Sequence, residues 1–219
     1  MTEPRLPPGQ RWVDRLVVYD VAAVPPADPQ EVSLRLFGDV DRPIDLSLVA
    51  FSRLPQVEAT CDLHCVTRWS VRDVHVTGVS ARTILDLVRP KAGVAWVIAH
   101  GREGYRTNVP YDHFAREGTL LALEMNGEPL AAEHGAPLRL VVPSLYLWKS
   151  AKYLSALEFT SAMRRGTWEE AGYHDVGDPW REERFRTQIP PARALKPGAV
   201  SRGSFRVSPL ARGARICYR

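Results

Sequence analysis

Apolar residues in this chain come in short alternating runs broken by proline and glycine, and no stretch carries the one-faced stripe of a long helix. In "EVSLRLFG", Val32, Leu34 and Leu36 alternate with Ser33 and Arg35, the period of a half-buried strand that ends at a Gly-Asp turn. Residues 57–66 and 73–79 also read as strands. Ser80 can then cap a helix with Ile84, Leu85 and Val88 on one face, until Pro90 stops it. "VAWVIAHG" is a buried strand, "LLALEMNGEPL" holds the hairpin pair Asn126-Gly127, "PLRLVVPS" is a strand, and residues 153–160 form one more. Short helices are expected over 46–54 and 111–116. Strands separated by short helices, without regular long crossovers, predict an α+β fold of mixed sheets rather than a doubly wound one.

With 219 residues, 45% of them hydrophobic, the chain can close a core without staples. The first thirty residues lack a basic start followed by an apolar run, so no signal peptide is expected, and no apolar stretch suffices to span a bilayer. Three cysteines, Cys61, Cys65 and Cys217, make a poor disulfide framework, so the expected compartment is the cytoplasm. The net charge of +4 hides an asymmetry: nine basic residues from Arg184 onward face no acid, and setting them aside leaves residues 1–183 at −5. Composition divides the chain into a proline-rich arm (1–30), a catalytic domain (31–185) and a basic, flexible tail (186–219).

"CDLHCVTRWS" puts Cys61, Asp62, His64 and Cys65 within five positions, which reads either as a metal site or as core cysteines. A closed zinc site would bring a second ligand pair, and Cys217 stands alone. If 57–63 is a strand, Cys65 lies just past its end, where a thiolate can project into a cleft. Residues 123–152, "LEMNGEPLAAEHGAPLRLVVPSLYLWKSAK", bring a histidine, Arg139, Lys149, Ser150 and Lys152 together, a set that could replace the water shell of a dianionic phosphate ester.

"HCVTRWS", "MNGEPLAAEHGAPLRLVVP", "WKSAKYL" and "WEEAGYHDVGDPWREERF" occur in that order, and together they resemble the molybdopterin-binding domain of the sulfite oxidase family, closest to its short stand-alone bacterial members. The resemblance runs from about Leu6 to Phe185. It implies a Mo-molybdopterin cofactor with a single pyranopterin, whose two dithiolene sulfurs join one protein cysteine on the metal. By motif, Cys65 is that ligand. His134 and Arg139 hold the pterin and its phosphate, Lys149 reaches the cofactor with Ser150 beside it, and His100 lies against the pterin. The resemblance also implies an oxidoreductase that moves an oxygen atom to or from a small sulfur compound and exchanges electrons with a separate carrier protein, since no haem module is recognisable.

Sulfite, an anion, needs fixed positive charge at the open face of the metal. Arg68, Arg102 and Arg106 are the candidates, Arg68 and Arg106 foremost. A sulfoxide would prefer an apolar mouth, for which Trp69, Tyr105 and Trp148 are available. Two other readings stand beside these: a zinc protein using Cys65, His64 and His100, and a binding protein whose basic tail meets nucleic acid, an anionic membrane or another acidic partner.

Overall fold

The computed structural model describes residues 6–18, 31–102 and 104–187. In chain order these form β1 (Arg11–Trp12), β2 (Ser33–Gly38), β3 (Ile44–Ser47), α1 (Leu48–Ser52), β4 (Gln56–His64), β5 (Trp69–Ser80), α2 (Ala81–Val88), β6 (Trp96–Gly101), β7 (Arg106–Pro110), α3 (Tyr111–Phe114), β8 (Leu120–Met125), β9 (Glu128–Pro129), β10 (Arg139–Val141), β11 (Leu154–Thr160) and α4 (Thr167–Glu170). One sheet has the order β1-β5-β8-β10, with β4 also on β5 and β9 on β8; the other has the order β3-β2-β11-β6-β7. Parallel pairs (β1 with β5, β2 with β11) mix with antiparallel ones, so the fold is α+β as the pattern predicts. No helix among the described residues is long and apolar enough to cross a membrane.

The six-stranded sheet buries both faces. Along β8 and β10, Leu121 and Leu140 point to an inner core shared with Leu34, Leu36, Val97, Ala99, Leu157 and Phe159 of the second sheet. Leu120, Ala122 and Val141, one step out of phase, point to the opposite face. Each large aliphatic side chain buried this way contributes about 1.5–3 kcal/mol. β5 keeps its outward face apolar along its length by a change of phase. Trp69 and Val71 share that face with Val74 and Val76 because the ladder shifts between Cys61 and Leu63, where Asp73 takes φ +53° and donates its N–H to Asp62 Oδ1.

The helix expected over 46–54 is shorter than predicted. Residues 44–47 pair with β2 instead, and Ser47 then caps α1, its hydroxyl accepting from Ala50 N. α2 begins and ends as expected, with Ser80 accepting from Thr83 N and left-handed Arg89 preceding Pro90. β7 was not expected: "RTNVP" lacks a strong alternation and forms its ladder because β6 offers an edge. Residues 188–219 of the expected tail, Cys217 among them, fall outside the described residues, as do residues 1–5 and 19–30 of the expected arm.

A second ladder shift lies between Thr77 and Gly78, where a Cβ at Gly78 would sit 2.2 Å from the Leu121 carbonyl oxygen. Backbone meets backbone there, so neither side can yield cheaply. Gly78→Ala is expected to cost about 2–3 kcal/mol and to lower the melting temperature by roughly 5–10 °C in thermal unfolding; an unchanged melting temperature would mean that the strands are not so close.

Candidate active site

The outward face of the six-stranded sheet carries a polar cluster at each end and an apolar floor between them. At one end β4 runs into a tight turn. Cys65 N donates to Trp69 O at 2.8 Å, Arg68 N donates to Cys65 O at 3.1 Å, and Arg68 takes φ +73° to close the turn. Cys65 is buried among Leu63, Trp69 and Val71, with its Sγ 3.1 Å from Thr67 Oγ1. Burial pushes its thiol pKa up, while the Thr67 hydroxyl, the amides of Thr67 and Val66 and the nearby Arg184 guanidinium act in the other direction. The turn therefore offers donors to a sulfur anion.

Three other segments close over this turn. Gln10 Nε2 donates to Cys65 O at 2.9 Å. Arg184 Nη1 donates to Val66 O at 2.6 Å and its Nη2 to Pro8 O at 3.2 Å, while the guanidinium lies 5.0 Å above the centre of the Tyr146 ring. Tyr146 is fully buried, and its hydroxyl faces Gln10; burial raises its pKa to about 12. Arg68 approaches from the turn itself, close enough to help hold the Arg184 pKa down, with burial the larger cause. Glu182 is the nearest acid, 3.7 Å from Arg184. Two guanidiniums thus converge beside Cys65 over a single, half-exposed carboxylate.

At the other end Arg139 leaves β10 toward the same face as Val141. Its Nη1 donates to His134 O at 2.9 Å and its Nη2 to Ser150 O at 3.4 Å, whereas Nε is buried without a partner. The residue is 4% exposed and has no carboxylate partner among the described residues. Burial lowers its pKa to about 10, so it keeps its charge at neutral pH. Lys152 lies alongside, its Nζ donating to Glu133 O, and burial together with these two cations lowers the His134 pKa. A buried cation held only by carbonyl oxygens is costly unless an anion completes it.

Beside His134 opens a cleft of about 640 Å³, walled by residues 14–18, Val71, Val74, Met125 and the 128–134 segment. Val17 and Val18 stand exposed in it, and Leu16, Val71, Val74 and Met125 belong to the apolar cluster that also packs Cys65. The volume suits a single organic cofactor. The thiolate-stabilising turn, the apolar floor and the uncompensated guanidinium fit a metal held through sulfur and an organic part ending in an anion.

The structure brings Cys65 and Arg68 together at one end, and His134, Arg139 and Ser150 together at the other. Ser150 takes part through its carbonyl, because its hydroxyl accepts from Val142 N. Three expected site residues are placed elsewhere. The His100 ring lies 3.4 Å from Glu158 and 6.1 Å from the Phe37 ring on the second sheet. Arg106 pairs with Glu170 at the surface. The Lys149 ammonium is enclosed by Asn108, Glu169 and Asp175. Arg102 reaches Tyr153, at the Arg139 end. Sequence reasoning missed Gln10, Thr67, Tyr146 and Arg184, and it named Lys152 only as one of a basic group, without a place at the cofactor. Lys152 and Arg184 stand inside the quoted motifs, so the types were visible and the faces were not.

Fold and site together define a cofactor-dependent redox domain. Residues 21–168 match the family described as the oxidoreductase molybdopterin binding domain. The chain is 43% identical over 182 residues to the oxidoreductase YuiH of Bacillus subtilis, covering 83% of this chain and 92% of that one. It is 26% identical over 165 residues to the protein-methionine-sulfoxide reductase catalytic subunit MsrP of Campylobacter jejuni, covering 68% and 55%; the chain spans about half the length of such MsrP relatives. The sulfane dehydrogenase SoxCD of Paracoccus pantotrophus has the same fold, with a TM-score of 0.59, 20% identity and coverage of 67% and 42%. The chain therefore belongs to the molybdopterin-binding oxidoreductases of the sulfite oxidase type, and its cofactor is Mo-molybdopterin.

Arg139→Met keeps the length of the side chain and removes the charge. The variant is expected to hold at least about tenfold less molybdenum by elemental analysis, while the cofactor-free protein melts within about 5 °C of the parent. Full molybdenum content would remove Arg139 from the cofactor site.

Proposed function

We propose that this chain catalyses oxygen-atom transfer to or from the sulfur of a small compound, with Cys65 as the protein ligand of molybdenum. The observation that carries the reading is the Cys65 turn, where a buried sulfur meets a hydroxyl, two amides and a guanidinium, packed on the apolar cluster whose Val71, Val74 and Met125 also line the cleft. Cys61, on the same face, lacks those donors: it sits in mid-strand, and burial and Asp62 push its pKa up to about 12, which keeps it a thiol. A soft thiolate suits a metal that changes oxidation state.

When bound, the cofactor supplies the two-electron redox chemistry, and this chain supplies orientation, charge and access. The Thr67 hydroxyl and the turn amides oppose the rise that burial gives the Cys65 pKa, and would stabilise its sulfur as a metal-bound thiolate. Arg68 and Arg184 set a positive field where an anionic sulfur substrate would approach. Residues 8–10 and 182–184 cover the turn and limit water. These two guanidiniums favour a sulfur oxyanion such as sulfite. A second reading, sulfoxide reduction, is supported by the kinship to proteins named methionine-sulfoxide reductases. Either direction needs a separate electron carrier, which we place with the enzyme in the cytoplasm.

The test is a pair of assays on cofactor-loaded protein, sulfite with an artificial electron acceptor and methionine sulfoxide with a reduced dye. Sulfite turnover is expected to dominate, and Cys65→Ser is expected to lose at least about a hundredfold in kcat/KM while retaining the pterin. A Cys65→Ser enzyme with full activity would refute the ligand assignment, and turnover of the sulfoxide alone would transfer the substrate to the second reading.

A further inference from the structure

Lys149 and Glu169 form an ion pair at 2.6 Å in which both side chains are fully buried. Glu169 Oε1 also accepts from Thr107 Oγ1 at 2.7 Å and from Trp148 Nε1 at 3.0 Å, and Oε2 accepts from Gly166 N at 3.0 Å. The Lys149 ammonium donates further to Asn108 O (2.8 Å), Asn108 Oδ1 (2.5 Å) and Asp175 O (2.7 Å). Burial lowers the lysine pKa, and Glu169, Asp175 and Glu183 oppose that shift. Replacing such a pair by apolar groups is often neutral or stabilising, so stability alone gives little reason to keep it.

What the pair fixes is the orientation of one wall of the Cys65 site. Glu169 holds the Trp148 indole by its N–H, and the indole stacks on Tyr146 with ring centres 5.3 Å apart and planes 18° apart. Lys149 holds the 174–184 segment through the Asp175 carbonyl. That segment meets the same indole at Gly177, where φ is +86° and a Cβ would lie 2.7 Å from Trp148 Cζ2, and Tyr146 N donates to Gly177 O at 2.9 Å. Arg184, at the end of the segment, lies over Tyr146 and reaches Val66 O in the Cys65 turn. An unbroken set of contacts therefore runs from the ion pair through Trp148 and Tyr146 to Arg184 and the turn.

We propose that Lys149 and Glu169 are positioning residues for the substrate-facing wall of the Cys65 site, acting through the Trp148–Tyr146 stack and the 174–184 segment on Arg184, with no part in holding the cofactor. The proposal rests on the reading that the Cys65 turn is the reacting centre.

The test uses cofactor-loaded Glu169→Gln. Molybdenum content is expected to match the parent. Amide exchange should speed up at least about tenfold in residues 174–184 and 65–68, with β2 and β3, at the far edge of the second sheet, unchanged. The near-ultraviolet circular dichroism of the Trp148–Tyr146 stack should weaken, and KM for sulfite should rise about tenfold with a smaller change in kcat. Trp148→Phe, which removes the indole donor and spares the ion pair, should raise KM in the same direction. If Glu169→Gln does not accumulate, the double variant Lys149→Met/Glu169→Gln is judged by the same criteria. Exchange that rises uniformly, or an unchanged KM and dichroism, would assign the pair a purely structural role and overturn the proposal. Loss of molybdenum would overturn it too, by assigning the pair to the cofactor. The exchange and dichroism readouts need no turnover, so they separate failure of this proposal from failure of the proposed activity.

Discussion

A sheet that is apolar on both faces must be covered twice, and in this protein the two covers differ in kind. The inner face is sealed permanently by the second sheet, where Leu34, Leu36, Val97, Leu157 and Phe159 meet Val79, Leu121 and Leu140. The outer face, with Val71, Val74, Val76 and Met125, is covered only in part by residues 13–18 and is left with a cleft. Two ladder shifts make this possible: the one in β5 keeps its outward side apolar past Asp73, and the one in β8, at Leu123, puts Met125 on the outward face with Ala122 and Leu120. The cleft is the part of that outer face which the described residues leave uncovered.

Charge follows the same division. Among the described residues, buried cations meet two treatments. Lys149 is neutralised by Glu169 and surrounded by oxygens, so it serves the protein's own architecture. Arg139 has carbonyl partners and an unpartnered Nε, with no carboxylate paired to it among the described residues, and it is held against His134 at the edge of the cleft. Cys65 and Arg139 share the outward face of one sheet, and on the proposed reading an elongated cofactor would be gripped by its metal at the first and by its charged terminus at the second. On the proposed reading, substrate selection would fall to Arg68, Arg184 and Tyr146 beside Cys65.

Much of this was legible in the sequence, with a consistent pattern to the rest. Strand alternation, the Ser80 cap and the Asn126-Gly127 turn are local signals, and they appear where the pattern puts them. β3 and β7 are the outer strands of the second sheet and form on the edges that β2 and β6 offer, which their own residue pattern does not record, so local propensity favours a helix over one and nothing over the other. Family resemblance supplied the family and the expectation for Cys65. It could not decide which of two lysines three residues apart faces the cleft, because that depends on how the turn at 147–149 closes: Lys149 swings to Glu169, and Lys152 lies beside His134. Arg184 was read as the first charge of a basic tail, whereas the fold returns it over 118 residues to the carbonyl of Val66.

The central claim is that the sulfur of Cys65 binds the metal, and X-ray absorption at the molybdenum edge measures it most directly. Loaded parent protein should show one more sulfur neighbour than loaded Cys65→Ser, with the two dithiolene sulfurs of the single pyranopterin common to both. Identical sulfur shells in the two proteins would contradict the account, as would parent protein that carries zinc and no molybdenum from a host able to make the cofactor.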